Sequence, residues 1–446
     1  MPVMDLSPSH HERRKGLPRL RAVNVLWDGA VGAFFGRPAL IEIAELGTGP
    51  IRGMFAQAGL FEGDRFIYSG GQLFRGAAII YTGPGSGAVR FAGGEDGDAD
   101  CLVWCDGGQV WRYDGTAVTQ VDIPDATDIF DVVYFGSRFV FFAANGRFYF
   151  SGINDPETID GDSFETAEAR PDGFLRAVVS GNQMFVFGPE TVEVFYLSGD
   201  VDAPYAPDTG ARLDFGAYSS DLVHQYQGRV WFVSATRQVI ALGSGQIGDD
   251  SVLEALGRAE LGETSLCTIL VDGQPLLVLT DKVAGSFVFD GARWYRWHRT
   301  GRASLNIAGA LNVGAVSYAG DMSSGKVYRL DNRLHADTGA AIERVVSCYR
   351  PLSGGRVRNV NVMLQCARGA GSLAVPEPSV EMRYSDDMAT WSEWAIQPLG
   401  GHGQYGQRPV WRALGHMRPP GRVYEFRCCD DVEFAPQAAV ADEVRV

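Results

Sequence analysis

A hairpin unit that recurs along the chain constrains the fold more than any other feature of this sequence. Each copy has an apolar strand, a glycine turn and a second strand rich in aromatic or β-branched residues, as in MFAQAGLFEGDRFIYSGGQLFRG at residues 54–76. The turn glycines are Gly63, Gly108, Gly136, Gly181, Gly228, Gly273 and Gly320, separated by 45, 28, 45, 47, 45 and 47 residues. A period near 45 residues with three or four short strands per repeat is typical of a β-propeller blade.

The repeats predict a propeller over residues 51–338 with about seven blades. One blade cannot bury both faces of its small sheet, so neighbouring blades must stack and the ring must close. The single interval of 28 residues fits this rhythm poorly. Either one blade is truncated or one turn is assigned wrongly, so six to eight blades are compatible with the sequence.

The pattern changes after about residue 338. Segments such as RVVSCYRPL and VRNVNVMLQCA alternate apolar and polar residues but have no regular spacing. This alternation predicts a separate β-sandwich domain over residues 339–446. Residues 1–50 are interpreted as an N-terminal arm that leads into the first blade. The predicted fold class is therefore all-β, a propeller followed by a C-terminal β-sandwich.

Charge is distributed unevenly along the chain, whose formal net charge is −15. Residues 1–21 carry +3 and residues 340–446 are neutral, which leaves −18 on residues 22–339. An acidic body of this kind argues against a general nucleic-acid-binding surface, because such surfaces need basic patches to displace counterions. The basic run Arg13-Arg14-Lys15 is more typical of a solvated tail, although such tails often dock on partners.

The sequence contains no pattern that indicates catalysis, a metal site or a cofactor. Its seven histidines are scattered without an HExxH or His/Cys cluster, and its seven cysteines lack paired spacing. No nucleophile elbow, phosphate-binding loop or dinucleotide-binding turn occurs. No segment resembles a signal peptide or a membrane span. We therefore expect a protein made in the cytoplasm that is not an enzyme and needs no metal or organic cofactor.

The segment YSDDMATWSEW (384–394) resembles the Asp-box of sialidase-like propellers. Ser385, Asp387 and Trp391 occupy the matching positions, and Ala389 replaces the glycine. In that box the aspartate accepts backbone N–H groups and the tryptophan packs beneath, so the motif is structural. It occurs once here, outside the repeats. A sialidase-like glycoside hydrolase would also need an arginine cluster and a nucleophile pair around the axis, and nothing marks such a set.

The stretch from 171 to 200 resembles a known family more closely. It has a Pro-Asp-Gly turn at 171–173, then Phe187-Gly188, Thr191-Val192-Glu193, Phe195, Leu197 and Ser198-Gly199. VIALGSGQ (239–246), VFDGARWYRWHRTG (288–301) and GDMSSGKVYRLD (320–331) follow in the same order as in that family. The chain resembles the packaged-DNA stabilisation proteins, or tail hubs, of short-tailed phages of the lambdoid type.

This resemblance implies a structural virion protein. Members form a homo-oligomeric ring, expected to be hexameric, below the portal and adaptor rings. The ring closes the head-to-tail channel as a stopper, retains the packaged DNA and anchors the tail needle, fibre or spike proteins. The implied location is the phage tail, assembled in the host cytoplasm. DNA passes nearby without sequence-specific binding. Two alternatives stay open: a propeller-type tail component that binds glycan or a receptor, and a sialidase-like glycoside hydrolase.

Charge also predicts which surfaces meet in such a ring. Packing several bodies of −18 around one axis is unfavourable unless basic or neutral surfaces meet. The C-terminal domain and the arm are therefore expected to supply most subunit contacts. The candidate interface residues are Arg13, Arg14, Lys15, Arg344, Arg350, Arg356, Arg358, Arg408 and Arg412.

Overall fold

The computed structural model describes residues 2–7, 20–166, 173–258, 261, 263–387 and 389–445. Within these residues the chain is built from β-strands and one α-helix, α1 (Asp250–Arg258). The strands form seven four-stranded blades and a sandwich of two further sheets. The predicted all-β class is confirmed, and the blade number, which the sequence left between six and eight, is seven.

Five short strands precede the first blade, and they belong to different parts of the fold. They are β1 (Val3–Asp5), β2 (Ala22–Val23), β3 (Val25–Asp28), β4 (Ala33–Gly36) and β5 (Ala39–Glu45). Strands β3 and β4 form a hairpin of their own. The other three join sheets whose remaining strands come from distant parts of the chain.

The first six blades are antiparallel meanders of four strands each. Blade 1 contains β6 (Ile51–Phe55), β7 (Phe66–Ser69), β8 (Gln72–Arg75) and β9 (Ala78–Thr82); blade 2 contains β10 (Arg90–Asp96), β11 (Ala99–Asp106), β12 (Gln109–Tyr113) and β13 (Val118–Val121); blade 3 contains β14 (Ile129–Phe135), β15 (Arg138–Ala143), β16 (Arg147–Phe150) and β17 (Phe164–Thr166). Blade 4 contains β18 (Arg176–Ser180), β19 (Gln183–Phe187), β20 (Val192–Leu197) and β21 (Tyr205–Pro207); blade 5 contains β22 (Val223–Tyr226), β23 (Arg229–Val233), β24 (Val239–Ala241) and β25 (Gly245–Gln246); blade 6 contains β26 (Thr264–Val271), β27 (Gln274–Asp281), β28 (Gly285–Phe289) and β29 (Trp294–Trp297). Tight turns between short strands favour pairing between sequence neighbours, which is why each blade is a meander.

Blade 7 takes its fourth strand from the other end of the sequence. Its first three strands are β30 (Ile307–Val313), β31 (Val316–Asp321) and β32 (Lys326–Asp331). The fourth is β5, which pairs antiparallel with β32 and closes the ring. The sequence-based boundary at residue 50 places β5 in the N-terminal arm, whereas the structure places it in the propeller. Without β5, the edge of β32 would present unpaired backbone groups.

The turn spacing that seemed irregular in the sequence has a simple structural explanation. Gly108 lies between the second and third strands of blade 2, and Gly320 lies inside β31. The first turns of blades 2 and 7 contain Gly97 and Gly314 instead, both with positive φ. The interval of 28 residues therefore came from a wrongly assigned turn, and no blade is truncated.

Apolar clusters fill the interfaces between successive blades. Between blades 3 and 4, the rings of Phe148 and Phe195 meet edge to face with centroids 5.1 Å apart. The Tyr205 hydroxyl donates a hydrogen bond of 2.9 Å to the carbonyl oxygen of Phe135 at the same interface. Burying one such aromatic side chain contributes about 1.5–3 kcal/mol. Repeated around the ring, these contacts make the blades one packed body.

The rest of the chain forms a small hairpin and then the sandwich. The hairpin is β33 (Ala336–Asp337) and β34 (Ala340–Ala341); the sandwich strands are β35 (Arg344–Pro351), β36 (Val357–Cys366), β37 (Ser379–Ser385), β38 (Ala395–Pro398), β39 (Val410–Arg412), β40 (His416–Met417), β41 (Gly421–Cys428) and β42 (Pro436–Arg445). One sheet has the order β1-β42-β36-β39, with β40 also paired to β36; we call it the five-stranded sheet. The facing sheet has the order β2-β35-β41-β37-β38.

The two sandwich sheets enclose a continuous apolar core. Met4 and Leu364 point inward from the five-stranded sheet, and Val346 and Phe426 point inward from the facing sheet. Because successive side chains in a strand point to opposite faces, their neighbours along each strand lie on the outer faces. The sandwich predicted from the alternating pattern is present, and it includes β1 and β2 from the N-terminal segment.

Strand β2 joins the sandwich to the propeller through backbone pairing. Val23 pairs parallel with Arg296 of blade 6, and Ala22 pairs antiparallel with Val346 of the sandwich. Blade 6 and the facing sheet of the sandwich are therefore one continuous sheet of nine strands. A buried ion pair between Arg37 and Asp337, with Nη2 2.6 Å from Oδ2, lies beside this junction. The two parts are thus connected by a sheet and not by a flexible linker.

Candidate functional site at the propeller axis and on the sandwich

The first strands of the blades surround a cavity on the propeller axis. Its volume is about 680 Å³, and residues from the first strands of blades 1, 2, 4, 5, 6 and 7 line it. Charged and polar groups in the lining include Arg90, Arg176, Asp221 and His224. This axial cavity is the natural place to look for a binding or catalytic site in a propeller.

An ion pair crosses the axis of the propeller. Arg90 begins the first strand of blade 2, and Asp221 lies in a 3-10 turn (Ser220–Leu222) that leads into the first strand of blade 5. Nη2 of Arg90 donates to Oδ1 of Asp221 and, at 3.2 Å, to Oγ of Ser220. Blades 2 and 5 are three positions apart in a ring of seven, which is as far apart as two blades can be. The contact therefore connects opposite sides of the ring through its centre.

A second ion pair lies beside the first and connects adjacent blades. Nη1 of Arg176 in blade 4 donates to Oδ1 of Asp131 in blade 3 at 2.7 Å, and the backbone N–H of Ala177 donates to Oδ2 at 2.7 Å. Burial lowers the pKa of Arg176 to about 10, against the opposing effect of Asp131. The guanidinium stays charged near neutral pH, so this contact is a true ion pair.

His224 is a titratable group in the lining of the axial cavity. Its Nε2 lies 2.9 Å from Oγ1 of Thr268. Burial, aided by the Arg176 guanidinium, lowers the pKa of His224 to about 4. The imidazole is therefore neutral at physiological pH. Across the described ranges, no group of three or more His, Cys, Asp or Glu side chains has the arrangement needed to hold a metal ion.

The arginines predicted as interface residues occupy three different environments. Arg344 is buried, donates to the carbonyl oxygens of Val432 (2.5 Å) and Asp430, and lies over the ring of Phe434. It therefore supports the fold of its own subunit. Arg13, Arg14 and Lys15 lie outside the described residues.

The other predicted arginines are nearer the surface. Arg350 binds Glu443 through two hydrogen bonds of 3.0 and 2.9 Å, which leaves its guanidinium partly occupied. The exposed members are Arg356, Arg358, Arg408 and Arg412. Strands β36 and β39 bring Arg358 and Arg412 onto the outer face of the five-stranded sheet. Arg356, another of these exposed arginines, lies next to the start of β36.

The Asp-box segment has the structural geometry that its sequence predicts. Oδ1 of Asp387 accepts hydrogen bonds from the backbone N–H groups of Thr390 (2.7 Å) and Ala389 (2.9 Å) and from the hydroxyl of Ser385 (3.1 Å). These bonds hold the pKa of Asp387 well below its usual range. Trp391 packs on the guanidinium of Arg383, 4.4 Å from the ring centroid. The carboxylate is therefore occupied in holding a turn.

Sequence reasoning missed the ion pairs of the axis. Arg90 and Asp221 are 131 positions apart, and neither belongs to a motif. The only local signal is that each lies next to the start of a blade's first strand, which in a propeller places it near the axis. Their pairing depends on ring closure and is invisible in the local pattern. None of the helices in the described part of the chain is long and apolar enough to cross a membrane.

Several solved structures are similar to this chain in fold. The extracellular domain of a putative one-component system from B. thetaiotaomicron is 13% identical, with a TM-score of 0.46 over 82% of this chain and 48% of that one. This chain thus spans about half the length of that structure. The WD40 propeller domain of Doa1 is 10% identical (TM-score 0.41, 66% of this chain and 96% of that one). BamB from Moraxella catarrhalis is 10% identical (TM-score 0.38, 67% and 99%).

Comparison by sequence is more specific than comparison by structure. No curated protein matches the chain. The profile of one protein family, described as Bacteriophage P22 Gp10, beta-propeller, matches residues 33–333. The match begins at β4 and ends just after β32, so it includes the closing strand β5 and all seven blades. The chain therefore belongs to the Bacteriophage P22 Gp10 family of packaged-DNA stabilisation proteins and is a structural β-propeller protein of phage particles.

Proposed function

We propose that this protein is the hub and stopper of a phage tail. In this role several copies, six by family resemblance, form a ring below the portal and adaptor rings. The ring closes the head-to-tail channel, keeps the packaged DNA inside and anchors the tail needle, fibre or spike proteins. The observation that carries the proposal is the family match over all seven blades. The role is mechanical and requires no catalytic step.

The construction of the subunit suits a part that must resist force. The propeller is closed by pairing between β5 and β32, so no blade has a free edge at the ring closure. The ion pair of Arg90 and Asp221 connects opposite blades, and β2 joins blade 6 to the sandwich in one sheet. The first two connections resist opening of the propeller ring, and the third resists separation of the propeller from the sandwich, so the subunit should deform little under load.

The charge of the propeller is compatible with a position near packaged DNA. Residues 22–339 carry −18, and DNA carries one negative charge per about 1.7 Å of helix axis. Like charges repel, so an acidic wall lets DNA pass without gripping it. Repulsion of this kind is consistent with the absence of sequence-specific DNA binding, whichever face of the subunit meets the channel.

Deletion of the gene tests the proposal. Particles that lack the protein are expected to package DNA and then lose it, and electron microscopy should show filled or emptied heads without tails. A nuclease-protection assay on freshly packaged particles measures the leak directly. Complementation with the intact gene is the control. Fully tailed particles that keep their DNA but adsorb poorly to the host would contradict the stopper role and favour the receptor-binding alternative.

A further inference from the structure

The outer face of the five-stranded sheet has arginines without acidic partners. Arg358 of β36 and Arg412 of β39 are exposed on this face, and Arg356 and Arg445 lie at the same end of the sheet. None of the four makes an ion pair with any residue that the structure describes. Four other arginines of the sandwich are paired with carboxylates: Arg350, Arg383, Arg422 and Arg427. Two carboxylates lie on the same face: Asp442, which accepts a hydrogen bond from Asn361, and Asp5 at the other end of the sheet. The positive charge available for a partner is therefore confined to the end of the sheet that carries the four arginines.

Apolar side chains cross the same face next to these arginines. The register places Val3, Val440, Met363 and Val410 side by side on four adjacent strands. Val3 at the edge is 62% exposed, Met363 and Val410 are half-buried, and Val440 between Val3 and Met363 is 8% exposed. An apolar row beside unpaired arginines is typical of a protein–protein interface, where arginine is enriched and the centre is apolar. A nucleic acid would bind the arginines but would make no favourable contact with the apolar row.

A surface of opposite charge lies on blade 4. The turn between β20 and β21 presents Val201, 67% exposed, between Asp200 and Asp202. The hydroxyl of Ser198 accepts the Asp200 N–H at 2.9 Å, and Oδ1 of Asp200 accepts the Asp202 N–H at 2.9 Å. The turn is therefore held in one conformation that displays an apolar tip between two carboxylates.

Neighbouring residues of blade 3 extend this turn into a patch. Arg138 donates to the carbonyl oxygens of Ser151 (2.6 Å) and Val201 (3.3 Å), which holds the segment before exposed Ile153 against the turn. Leu197 packs on the turn of blade 3 at Gly136, where a Cβ would lie 2.5 Å from Leu197 Cδ2. We call the set Ile153, Leu197, Asp200, Val201 and Asp202 the acidic hairpin patch.

We propose that the outer face of the five-stranded sheet of one subunit binds the acidic hairpin patch of the next subunit. This inference rests on the ring proposed above and names its contact surfaces. Apolar groups meet apolar groups, and arginines meet aspartates, so the interface relieves part of the repulsion between acidic propellers. The sandwich is attached at blade 6 and the patch lies on blades 3 and 4, so one subunit offers both surfaces at once. Head-to-tail contacts of this kind generate a closed ring or a filament.

Charge reversal on the two surfaces tests the inference. The full-length chain is prepared as Arg358→Glu/Arg412→Glu, as Asp200→Arg/Asp202→Arg, and with all four changes together. Each pair alone is expected to weaken self-association at least about tenfold, because like charges then face each other. The variant with all four substitutions should regain most of the lost affinity, since the charges are complementary again. Sedimentation velocity over a concentration series, at low and high salt, measures the effect.

The controls are exposed residues of the same types elsewhere on the propeller. Arg302→Glu and Asp122→Arg each reverse one charge of the same type outside both surfaces and should associate like the parent chain. If each pair weakens association but the variant with all four substitutions does not regain affinity, the two surfaces do not face each other and the inference is wrong. If all variants associate like the parent, the ring proposal is retained, but these two surfaces are not part of its interface and the inference is wrong. A parent chain that stays monomeric throughout contradicts a stable contact between these two surfaces, whereas the ring itself is tested by the gene deletion described above.

Discussion

Arg90 in blade 2 and Asp221 before blade 5 form an ion pair through the centre of the propeller. Only strands that face the axis can place side chains there, and only a closed ring brings these two within reach. The pair is partly shielded, with the two side chains 18% and 38% exposed. It therefore connects opposite blades, whereas the apolar clusters at the blade interfaces join adjacent blades.

Breaking this pair should loosen the whole propeller. Arg90→Met and Asp221→Asn are each expected to lower the free energy of unfolding by about 1–3 kcal/mol, because each leaves a partly buried polar group without its partner. Urea unfolding and a double-mutant cycle measure the coupling. Arg212→Met, which removes the exposed pair with Asp214, should leave the free energy of unfolding essentially unchanged. A coupling as small as that of the control pair would show that the axial contact does not stabilise the ring.

Strand β5 should be essential for ring closure. Leu40 is 2% exposed, whereas Ile43 on the same strand is 42% exposed. Leu40→Ala is expected to cost about 2–5 kcal/mol, because it opens a cavity at the core between blades 6 and 7. Ile43→Ala is the matched control and should cost less than about 1 kcal/mol. Thermal unfolding and limited proteolysis near residues 326–331 compare the two. Equal losses would mean that the closing strand contributes little through its buried face.

Stability should fall as the medium is acidified, in part because of His224. The pKa of His224 is lowered from 6.5 in the unfolded chain to about 4 in the folded protein, mainly by burial. Between these pH values the unfolded chain binds a proton at this residue that the folded protein does not. The free energy of unfolding therefore decreases as pH falls from about 6.5 to about 4.

His224→Gln should reduce this pH dependence, since glutamine does not titrate. Urea unfolding at intervals from pH 7.5 to 4 gives the slope for each variant. The matched control is His402→Gln, which changes an exposed histidine and should leave the slope as in the parent. An unchanged slope in His224→Gln would place the acid sensitivity elsewhere.

Arg344 should matter for folding and not for assembly. Arg344→Ala removes the donors for the carbonyl groups of Val432 and Asp430 and leaves a cavity beside Phe434. The expected loss is about 2–4 kcal/mol of unfolding free energy. Arg356→Ala, an exposed change in the same domain, should leave stability within about 0.5 kcal/mol. A stable Arg344→Ala variant that fails only in self-association would instead make Arg344 an interface residue.

Local patterns in the sequence were enough to predict the strands and the general architecture. The glycine turns and alternating apolar residues of blades 1 to 6 are short-range signals, because each hairpin pairs residues that are close in the chain. The Asp-box turn was interpretable for the same reason, since Asp387 binds backbone groups only two and three residues away. The turn at Gly108 was assigned wrongly, because it resembles the first turn of a blade. The sequence does not show which hairpin of a blade a given glycine belongs to.

Residue type alone did not distinguish the buried arginines of the sandwich from the exposed ones. Arg344 and Arg358 both lie in strands of the sandwich and in similar local patterns. One points into the core and the other to the outer face of the five-stranded sheet. The strand period assigns residues to two faces but does not say which face will be covered. That depends on the loop of Val432 and Phe434, which packs over Arg344 only in the folded protein.

The sequence by itself determined the repeating hairpin, the all-β class, the family and the acidic character of the propeller, because these depend on composition and on contacts between near neighbours. The tertiary structure decided that β5 completes blade 7, that β2 joins the sandwich to blade 6, and that Arg90 meets Asp221 on the axis. Each of these contacts joins residues more than 100 positions apart. Their partners are selected by ring closure and burial, which no local pattern encodes.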